Sequence, residues 1–224
     1  LFIISGLIKL NDPVGFSYKL AEYFSEPVFN MPFFVPFSLA IALFIVILEV
    51  VLGVMLLIGY KSKLTIWLLL LLIVKFTFLT FYSAYFDVVK DCGCFGDALK
   101  LTPWQSFTKD VILLFFILIL FINMKLVKPL FSNKVQNSLV VIAVLLSCFM
   151  GYWVINHLPL KDFRAFKVGN NIQKGMEIPE GAPKSVVEMI FIYKVNGVDK
   201  AFTEKDLGNI PAGAVFVDRK DKII

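Results

Sequence analysis

Two cysteines separated by a single glycine are the residues of this sequence best suited to chemistry. Cys92 and Cys94 flank Gly93 within residues 91–97, DCGCFGD. In an extended chain, residues two apart hold their Cα atoms near the upper limit of ~6.8 Å for a disulfide, so the chain must turn there. Gly93, which has no Cβ, permits that turn. A disulfide over so short a ring would be strained and easily reduced, which favours thiol–disulfide exchange.

Two other roles for this loop stay open from the residues alone. The cysteines can form a bridge that braces the loop, or pack as small side chains in a glycine-rich turn. Metal binding has less support, and we expect no metal, because two thiols without a nearby His or third Cys fall short of a four-ligand zinc site. Asp91, Gly93, Gly96 and Asp97 are taken as the residues that support the loop.

A second candidate site is a pair of opposite charges inside apolar segments. Glu49 lies 13 residues before the polar turn near Ser62, and Lys75 lies 13 residues after it, so each is ~19 Å along its helix. An unpaired charge at that depth costs several kcal/mol. We therefore predict an ion pair between Glu49 and Lys75 that faces the bundle interior. It would serve as a polar centre for protons or a quinone-like molecule, or as a structural pair that fixes helix register.

Two further polar or reactive side chains lie inside apolar segments. Lys9 is near the outer end of the first segment, and we expect its ammonium to extend to the membrane interface. Cys148, in the fifth segment, is expected to pack like other buried cysteines, the alternative being that it meets the two cysteines of the loop. We assign neither Lys9 nor Cys148 to a candidate site.

Long apolar helices are the elements that must position these residues. Hydrophobic residues make up 58% of the 224 positions and charged residues 17%, against roughly 45–50% and about 25% in soluble domains. The excess falls in runs near the ~20 residues that a helix needs to cross ~30 Å of hydrocarbon. The composition therefore predicts an all-α membrane protein and excludes a soluble globular domain. The net charge of +5 forms no basic stripe, so a lipid bilayer is expected and nucleic acid is not.

Hydrophobic runs and capping signals set the expected helix bounds. The first ten residues are expected to be the last part of a first span, followed by a short amphipathic helix over 13–24 that has Asp12 as its N-cap. Thr102 and Gln105 have capping-box spacing, so one span begins at Pro103, directly after the cysteine loop. The later spans are predicted at residues 37–60, 64–85, 103–130 and 135–157.

The composition changes after His157, where charged residues become frequent. Residues 186–195 and 198–202 flank Asn-Gly, a pattern typical of a β-hairpin. The predicted fold is a four-helix transmembrane bundle with a fifth transmembrane helix and a small β-containing external tail. We divide the chain into a bundle at 1–130, an additional helix at 131–157 and a tail at 158–224 that continues into a further domain.

Loop charges and cysteine chemistry suggest the same orientation. The turns after the second and fourth spans are rich in lysine and free of acidic residues, although the opposite loops also contain lysines and the positive-inside bias is weak. With those turns in the cytoplasm, the Cys92 loop and the tail lie on the oxidising, external side.

The sequence resembles the DoxX-like membrane proteins, and within them the MauE/DoxX group. The resemblance lies in residues 2–13 (FIISGLIKLNDP), 49–59 (EVVLGVMLLIG), 91–97 (DCGCFGD) and 104–109. It implies a four-helix core in the cytoplasmic membrane and a role in thiol or quinone redox, MauE-type members being linked to disulfide formation in exported proteins. In similar relatives the tail leads into a thioredoxin-like domain, which would be an exchange partner for Cys92 and Cys94.

The expected function is therefore redox exchange between Cys92 and Cys94 and a periplasmic thiol protein, with a quinone as the candidate cofactor. The alternative is a non-catalytic membrane subunit that anchors an envelope complex and docks a periplasmic partner through the tail. A quinone-linked thiol oxidase has less support, because such enzymes need a second cysteine pair and only Cys148 remains. Redox exchange requires a reversible pair of thiols, whereas an anchor does not.

Overall fold

The computed structural model of the chain contains two compact units, Leu1–Asn170 and Asn171–Ile224. It describes residues 1–26, 28–89, 93, 95–164, 167–177, 187–195, 198–203, 206, 208, 210–211 and 213–223. The helices of the first unit are α1 (Phe2–Asn11), α2 (Pro13–Phe24), α3 (Ser38–Ile58), α4 (Ser62–Phe86), α5 (Pro103–Ile122) and α6 (Asn133–Asn156). The second unit contains α7 (Ile172–Met176), β1 (Val187–Val195), β2 (Val198–Thr203) and β3 (Val215–Ile223).

Within the part of the chain that the structure describes, four apolar segments are long enough to cross a membrane. They are Pro32–Ile58, which combines a 3-10 turn with α3, and the helices α4, α5 and α6, whereas α1 is shorter. Their outer faces expose large apolar side chains such as Phe44, Leu71, Phe115 and Leu146. Soluble proteins rarely expose so large an apolar surface to water, so we expect a bilayer to cover it. The predicted class, a helical multi-pass membrane protein with a small β-containing C-terminal part, is confirmed.

Helix α3 is the centre of the helical unit. It packs against α1, α2, α4 and α6, while α5 packs against α4. Its sequence is apolar on all sides, as expected for a helix surrounded by others. One buried cluster joins α3 to α4 and α5 through Leu52, Leu69 and Ile117. A second cluster joins α2 to α3 through Phe16 and Val46.

Two glycines allow α1 and α3 to cross closely. A Cβ added at Gly6 would lie 2.6 Å from Cγ2 of Val50, and one added at Gly53 would lie 2.6 Å from Cγ1 of Ile3. Small residues at such crossings let helix backbones approach in membranes. Lys9 lies one turn after Gly6 on the same helix face. The crossing therefore sets which residues of α3 face Lys9.

Helix ends follow the predicted signals at α2 and at the start of α5. Oδ1 of Asp12 accepts a hydrogen bond from the Gly15 N–H at 2.9 Å. Oγ1 of Thr102 accepts a bond from the Gln105 N–H at 3.3 Å, and Oε1 of Gln105 accepts one from the Thr102 N–H at 3.0 Å. The capping box predicted before Pro103 is thus confirmed.

The far end of α5 corrects the predicted bound. The helix ends at Ile122 and not at residue 130, because polar residues follow and a 3-10 turn, Met124–Leu126, begins there. The N–H of Leu130 then donates to the carbonyl of Ile58 at 3.1 Å. This bond joins the α3–α4 turn to the α5–α6 connection, and we call this side of the unit the turn end.

The second unit is built on a three-stranded antiparallel sheet of order β2-β1-β3. Val195 of β1 is opposite Val198 of β2, which confirms the predicted hairpin strands; the turn residues 196–197 lie outside the described residues. Strand β3 pairs with the other edge of β1 and was not predicted. Its residues 218–222 are all charged, so they hide the alternation by which a strand is recognised.

The close approach at the turn end predicts a specific effect of alanine at Gly59. Gly59 has φ 68°, and an added Cβ would overlap the carbonyl of Lys128, whereas Gly169 has φ 94° and open space among the described residues. Both alanine variants incur the left-handed backbone cost of roughly 1–2 kcal/mol. We expect Gly59→Ala to lower the thermal unfolding midpoint in detergent by several degrees more than Gly169→Ala. Equal shifts would contradict this packing of the two connections.

Candidate functional site

The connection between α4 and α5 forms a tight turn in its described part. Cys92, Cys94 and Asp91 lie outside the described residues. Gly93 and Gly96 have φ of 64° and 50°, in the region that favours glycine. The Gly96 N–H donates to the Gly93 carbonyl at 3.1 Å. The glycines on either side of Cys94 therefore reverse the chain direction.

Gly93, the residue between the two cysteines, packs on α2. A Cβ added there would lie 3.2 Å from Cγ of Lys19 and 3.5 Å from Cδ2 of Phe16. A pocket of about 290 Å³ opens beside it, and Gly93, Tyr18, Lys19 and Asp97 are among its lining residues. The structure thus brings Gly93, Gly96 and Asp97 together against α2, as part of one surface.

The segment after α6, residues 158–164, is hydrogen-bonded to the end of α1 beside this surface. We call this segment the strap. Nδ2 of Asn11 donates to the Lys161 carbonyl at 2.7 Å, and the Lys161 N–H donates to Oδ1 of Asn11 at 3.1 Å. The strap therefore belongs to the helical unit, although the composition of the sequence changes at Leu158. Asn11, Asp97 and Arg164 line one small cleft between the strap and the loop.

The strap also contains an ion pair of its own. Nη2 of Arg164 donates to Oδ2 of Asp162 at 2.7 Å. Hydrogen bonds from Arg164 lower the pKa of Asp162 from 3.8 to about 2, and Asp162, with smaller contributions from Asp12 and Asp97, raises the pKa of Arg164. Because the carboxyl pKa is lowered, this pair stabilises the strap above about pH 4, and the effect is lost as the pH falls through about 2.

Glu49 is buried in the bundle, and its partner is Lys9. Nζ of Lys9 forms an ion pair with Oε2 of Glu49, and the two side chains are 2% and 3% exposed. The Lys9 ammonium also lies 5.2 Å from the ring centroid of Phe16 and 4.7 Å from that of Phe76. The aromatic faces add to the stabilisation of this buried cation.

The predicted pairing of Glu49 with Lys75 is therefore wrong. Lys75 is exposed on α4, where its long side chain can extend along the apolar surface. Equal distance from a turn sets the depth of two residues but not the direction in which each points around its helix axis. The expectation that Lys9 extends to the interface is also wrong, because the crossing at Gly6 turns the Lys9 face toward α3.

A second buried ion pair lies on α5. Asp110, 1% exposed, accepts a bond from Nζ of Lys109 at 2.5 Å and from Oγ1 of Thr80 at 3.1 Å. Lys109 is 19% exposed, and its ammonium lies 5.6 Å from the ring centroid of Phe95 in the loop. Asp110 is not among the predicted site residues, although an acidic residue seven positions inside an apolar helix is the signal that could have identified it.

Both ion pairs line one small cavity. Its volume is about 20 Å³, and its charged lining residues are Lys9, Glu49, Lys109 and Asp110. This is room for about one water molecule. Asp110, one of its lining residues, lies seven residues, or roughly 10 Å along the helix, after the first residue of α5. Among the described residues no group of three His, Cys, Asp or Glu side chains is placed to hold a metal ion.

A known family model matches the part of the chain that contains both ion pairs and the cysteine loop. Residues 1–123, more than half of the chain, match the model described as methylamine utilisation protein MauE. The chain belongs to the MauE family. The match covers α1 to α5, both ion pairs and the cysteine loop, and it confirms the resemblance drawn from the sequence. Residues 187–224 of this MauE-family chain match a second model, described as a domain of unknown function, DUF8463.

One curated relative covers nearly all of this MauE-family chain. Protein TlpB of Flavobacterium psychrophilum is 27% identical over 229 residues, which are 92% of the chain and 55% of that protein. The chain therefore spans about half the length of this relative. No solved structure matches the chain at a significant level.

The observed ion pair predicts that Lys9 and Lys75 differ in their effect on stability. Lys9→Met leaves Glu49 buried without its partner, so we expect a loss of about 3–5 kcal/mol in the free energy of unfolding. The matched variant Lys75→Met removes a charge from the outer face of a span, so we expect no loss in the free energy of unfolding. Unfolding in mixed micelles followed by circular dichroism measures both. A larger loss for Lys75→Met would support the pairing that the structure rejects.

Proposed function

We propose that this membrane protein exchanges disulfides with an external thiol protein through Cys92 and Cys94. The observation that supports this most directly is the turn at Gly93, which lies against α2 beside an open pocket. Cys92 and Cys94 are the sequence neighbours of Gly93, and Gly93 lines a pocket that is open to water and to a partner protein. Thiol–disulfide exchange needs this access, because a partner sulfur must reach the attacking thiolate.

The reaction needs only the two cysteines and the partner. The thiolate of one cysteine attacks a sulfur of the partner's disulfide, so that a mixed disulfide forms and one partner thiolate leaves. The thiolate of the second cysteine then attacks the first cysteine sulfur, which closes the Cys92–Cys94 disulfide and releases the partner's second thiolate. Two electrons pass to the partner in total. The reverse sequence reduces Cys92–Cys94 and oxidises the partner.

Charge distribution supports a periplasmic position for the loop in a bacterial cytoplasmic membrane. The lysine-rich connections meet at the turn end, where the Leu130 N–H bonds the Ile58 carbonyl. The cysteine loop and the strap lie at the opposite ends of the same helices. The positive-inside rule supports a cytoplasmic position for the lysine-rich side, and in that orientation the oxidising compartment is on the side of the loop.

The interior cavity does not fit the quinone that the resemblance implied. Its volume of about 20 Å³ accommodates a water molecule, whereas a quinone ring needs several times that space. The larger pocket beside Gly93 is open and is lined by charged as well as apolar residues. We therefore assign no electron-transfer step to a quinone.

The alternative function, a membrane anchor for an envelope complex, has one observation of its own. Residues 187–224 match a separate family model, and the three strands described in this range form a sheet whose outer strands are β2 and β3. An unpaired strand edge can accept a further strand from a partner. In that case the cysteines would only brace the loop, and their redox state would not matter.

Redox titration of the two thiols separates exchange from anchoring. We expect mass-shift thiol labelling of Cys92 and Cys94 in intact membranes to show a reversible two-electron transition across a series of dithiothreitol redox buffers. The double variant Cys92→Ser with Cys94→Ser should lose it, and Cys148→Ser should retain it, because Cys148 is exposed on α6 within a span. A pair that stays oxidised, or never oxidises, would contradict exchange and favour the anchor.

A further inference from the structure

One end of the helical unit carries positive side-chain charge alone. The two connections that meet at the turn end, residues 59–63 and 123–134, contain five lysines and no acidic residue. All five lysines are exposed, and the ion pairs in the described part of the chain involve other cations. An anion is therefore the ligand that this surface fits by charge. The lysines are Lys61, Lys63, Lys125, Lys128 and Lys134, and we call them the lysine patch.

Contacts between the two connections hold the lysine patch together. The Ile58 carbonyl accepts hydrogen bonds from the Leu130 N–H at 3.1 Å and from Nε2 of Gln136 at 3.0 Å. Gly59 packs directly against the Lys128 carbonyl. Lys61 follows Gly59 by two residues, so lysines from both connections belong to one surface.

Two spanning helices begin at the lysine patch, and neither start is capped by a side chain. Helix α4 follows Lys61 and α6 follows Ser132, and neither N-cap side chain accepts a bond from the first turn. The N-caps of α2 and α5, Asp12 and Thr102, both accept one. The first N–H groups of a helix and its dipole favour an anion. The patch therefore combines helix starts with ammonium groups.

Exposed apolar side chains lie among and beside these lysines. Leu126, Leu130 and Phe131 of the α5–α6 connection are at least half exposed, and so are Leu64 and Trp67 in the first two turns of α4. A free inorganic anion would make no use of such a surface. A phospholipid presents acyl chains next to its headgroup, and basic residues beside a span are typical of sites for anionic headgroups.

We propose that the turn end binds the phosphodiester headgroup of an anionic phospholipid, with lysines of both connections as its cationic contacts. The acyl chains lie along the outer face of α4, where Leu64, Trp67 and Leu71 follow one another at helical spacing and are all exposed. The headgroup charge offsets the mutual repulsion of the lysines. Neither cysteine takes part, so this binding is independent of the proposed exchange.

Quenching of tryptophan fluorescence by brominated acyl chains tests this site. Trp67 is 56% exposed and lies roughly 9 Å along α4 from Lys61. The full chain with Trp104→Phe and Trp153→Phe retains Trp67 as its one tryptophan. It is reconstituted in vesicles of one part phosphatidylglycerol to four parts phosphatidylcholine, with bromine on one lipid or on the other. The two quenching constants, corrected for lipid amount, give the relative affinity.

We expect phosphatidylglycerol to reach Trp67 with an affinity at least about fivefold above that of phosphatidylcholine. This corresponds to about 1 kcal/mol, the contribution of one lysine near an anionic surface. Lys61→Gln combined with Lys128→Gln should remove most of the preference. The matched variant Lys100→Gln with Lys167→Gln changes two exposed lysines outside the turn end and should retain it.

A second chain, with Trp67→Phe and Trp153→Phe, reports from Trp104 at the start of α5 and should show a clearly smaller preference. Equal quenching of Trp67 by both lipids, or an equally large preference at Trp104, would overturn the site. A preference that survives Lys61→Gln with Lys128→Gln would do the same.

Inorganic phosphate distinguishes a lipid from a free anion. Phosphate and chloride at matched ionic strength should weaken the preference equally, because both only screen the charges. If phosphate alone removes the preference, the patch recognises free phosphate and the assignment to lipid is wrong. The ratio at Trp67 needs no lysine variant, so a lysine variant that fails to insert leaves the test intact.

Discussion

A lysine and a glutamate that are both buried in a membrane bundle must pair, because each unpaired buried charge costs several kcal/mol. Lys9 and Glu49 are both almost fully buried, so the pairing of their charges constrains how α1 meets α3. The close crossing at Gly6 and Gly53 provides that geometry without intervening side chains. Helix α3 in turn contacts most of the helices of its unit, so the register set at this pair extends to the rest of the bundle.

The side chain of Phe16 lies next to both the buried Lys9 ammonium and Gly93 of the cysteine loop. Phe16 of α2 presents its ring to the Lys9 ammonium, and the edge of the same ring contacts the position of Gly93. Lys109 makes a second connection, since it bonds Asp110 inside the bundle and lies over Phe95 outside it. The described part of the loop therefore packs on side chains that also contact the two ion pairs, which is the kind of support that a reactive site requires of its scaffold.

The sequence predicted the features that depend on local chemistry. Hydrophobic run length identified the spans, and the Thr102–Gln105 capping box located the start of α5. The partner of Glu49 was not predictable in this way, because the rotation of α4 about its own axis is decided by packing against α5 and α3 rather than by position in the sequence. Asp110 was not predicted because it is an isolated acidic residue in a long apolar run. Strand β3 was not predicted because its consecutive charged residues do not alternate with apolar ones.

Charge exchange between the two buried positions tests this account most directly. Glu49→Lys places two lysines together in the bundle and should prevent folded protein from accumulating in membranes. Folded protein is measured as the monodisperse peak of detergent-extracted protein on size-exclusion chromatography. Adding Lys9→Glu restores an opposite pair, and the account predicts recovery of folded protein, whereas adding Lys75→Glu should give none. Recovery with Lys75→Glu and not with Lys9→Glu would contradict the central ion pair.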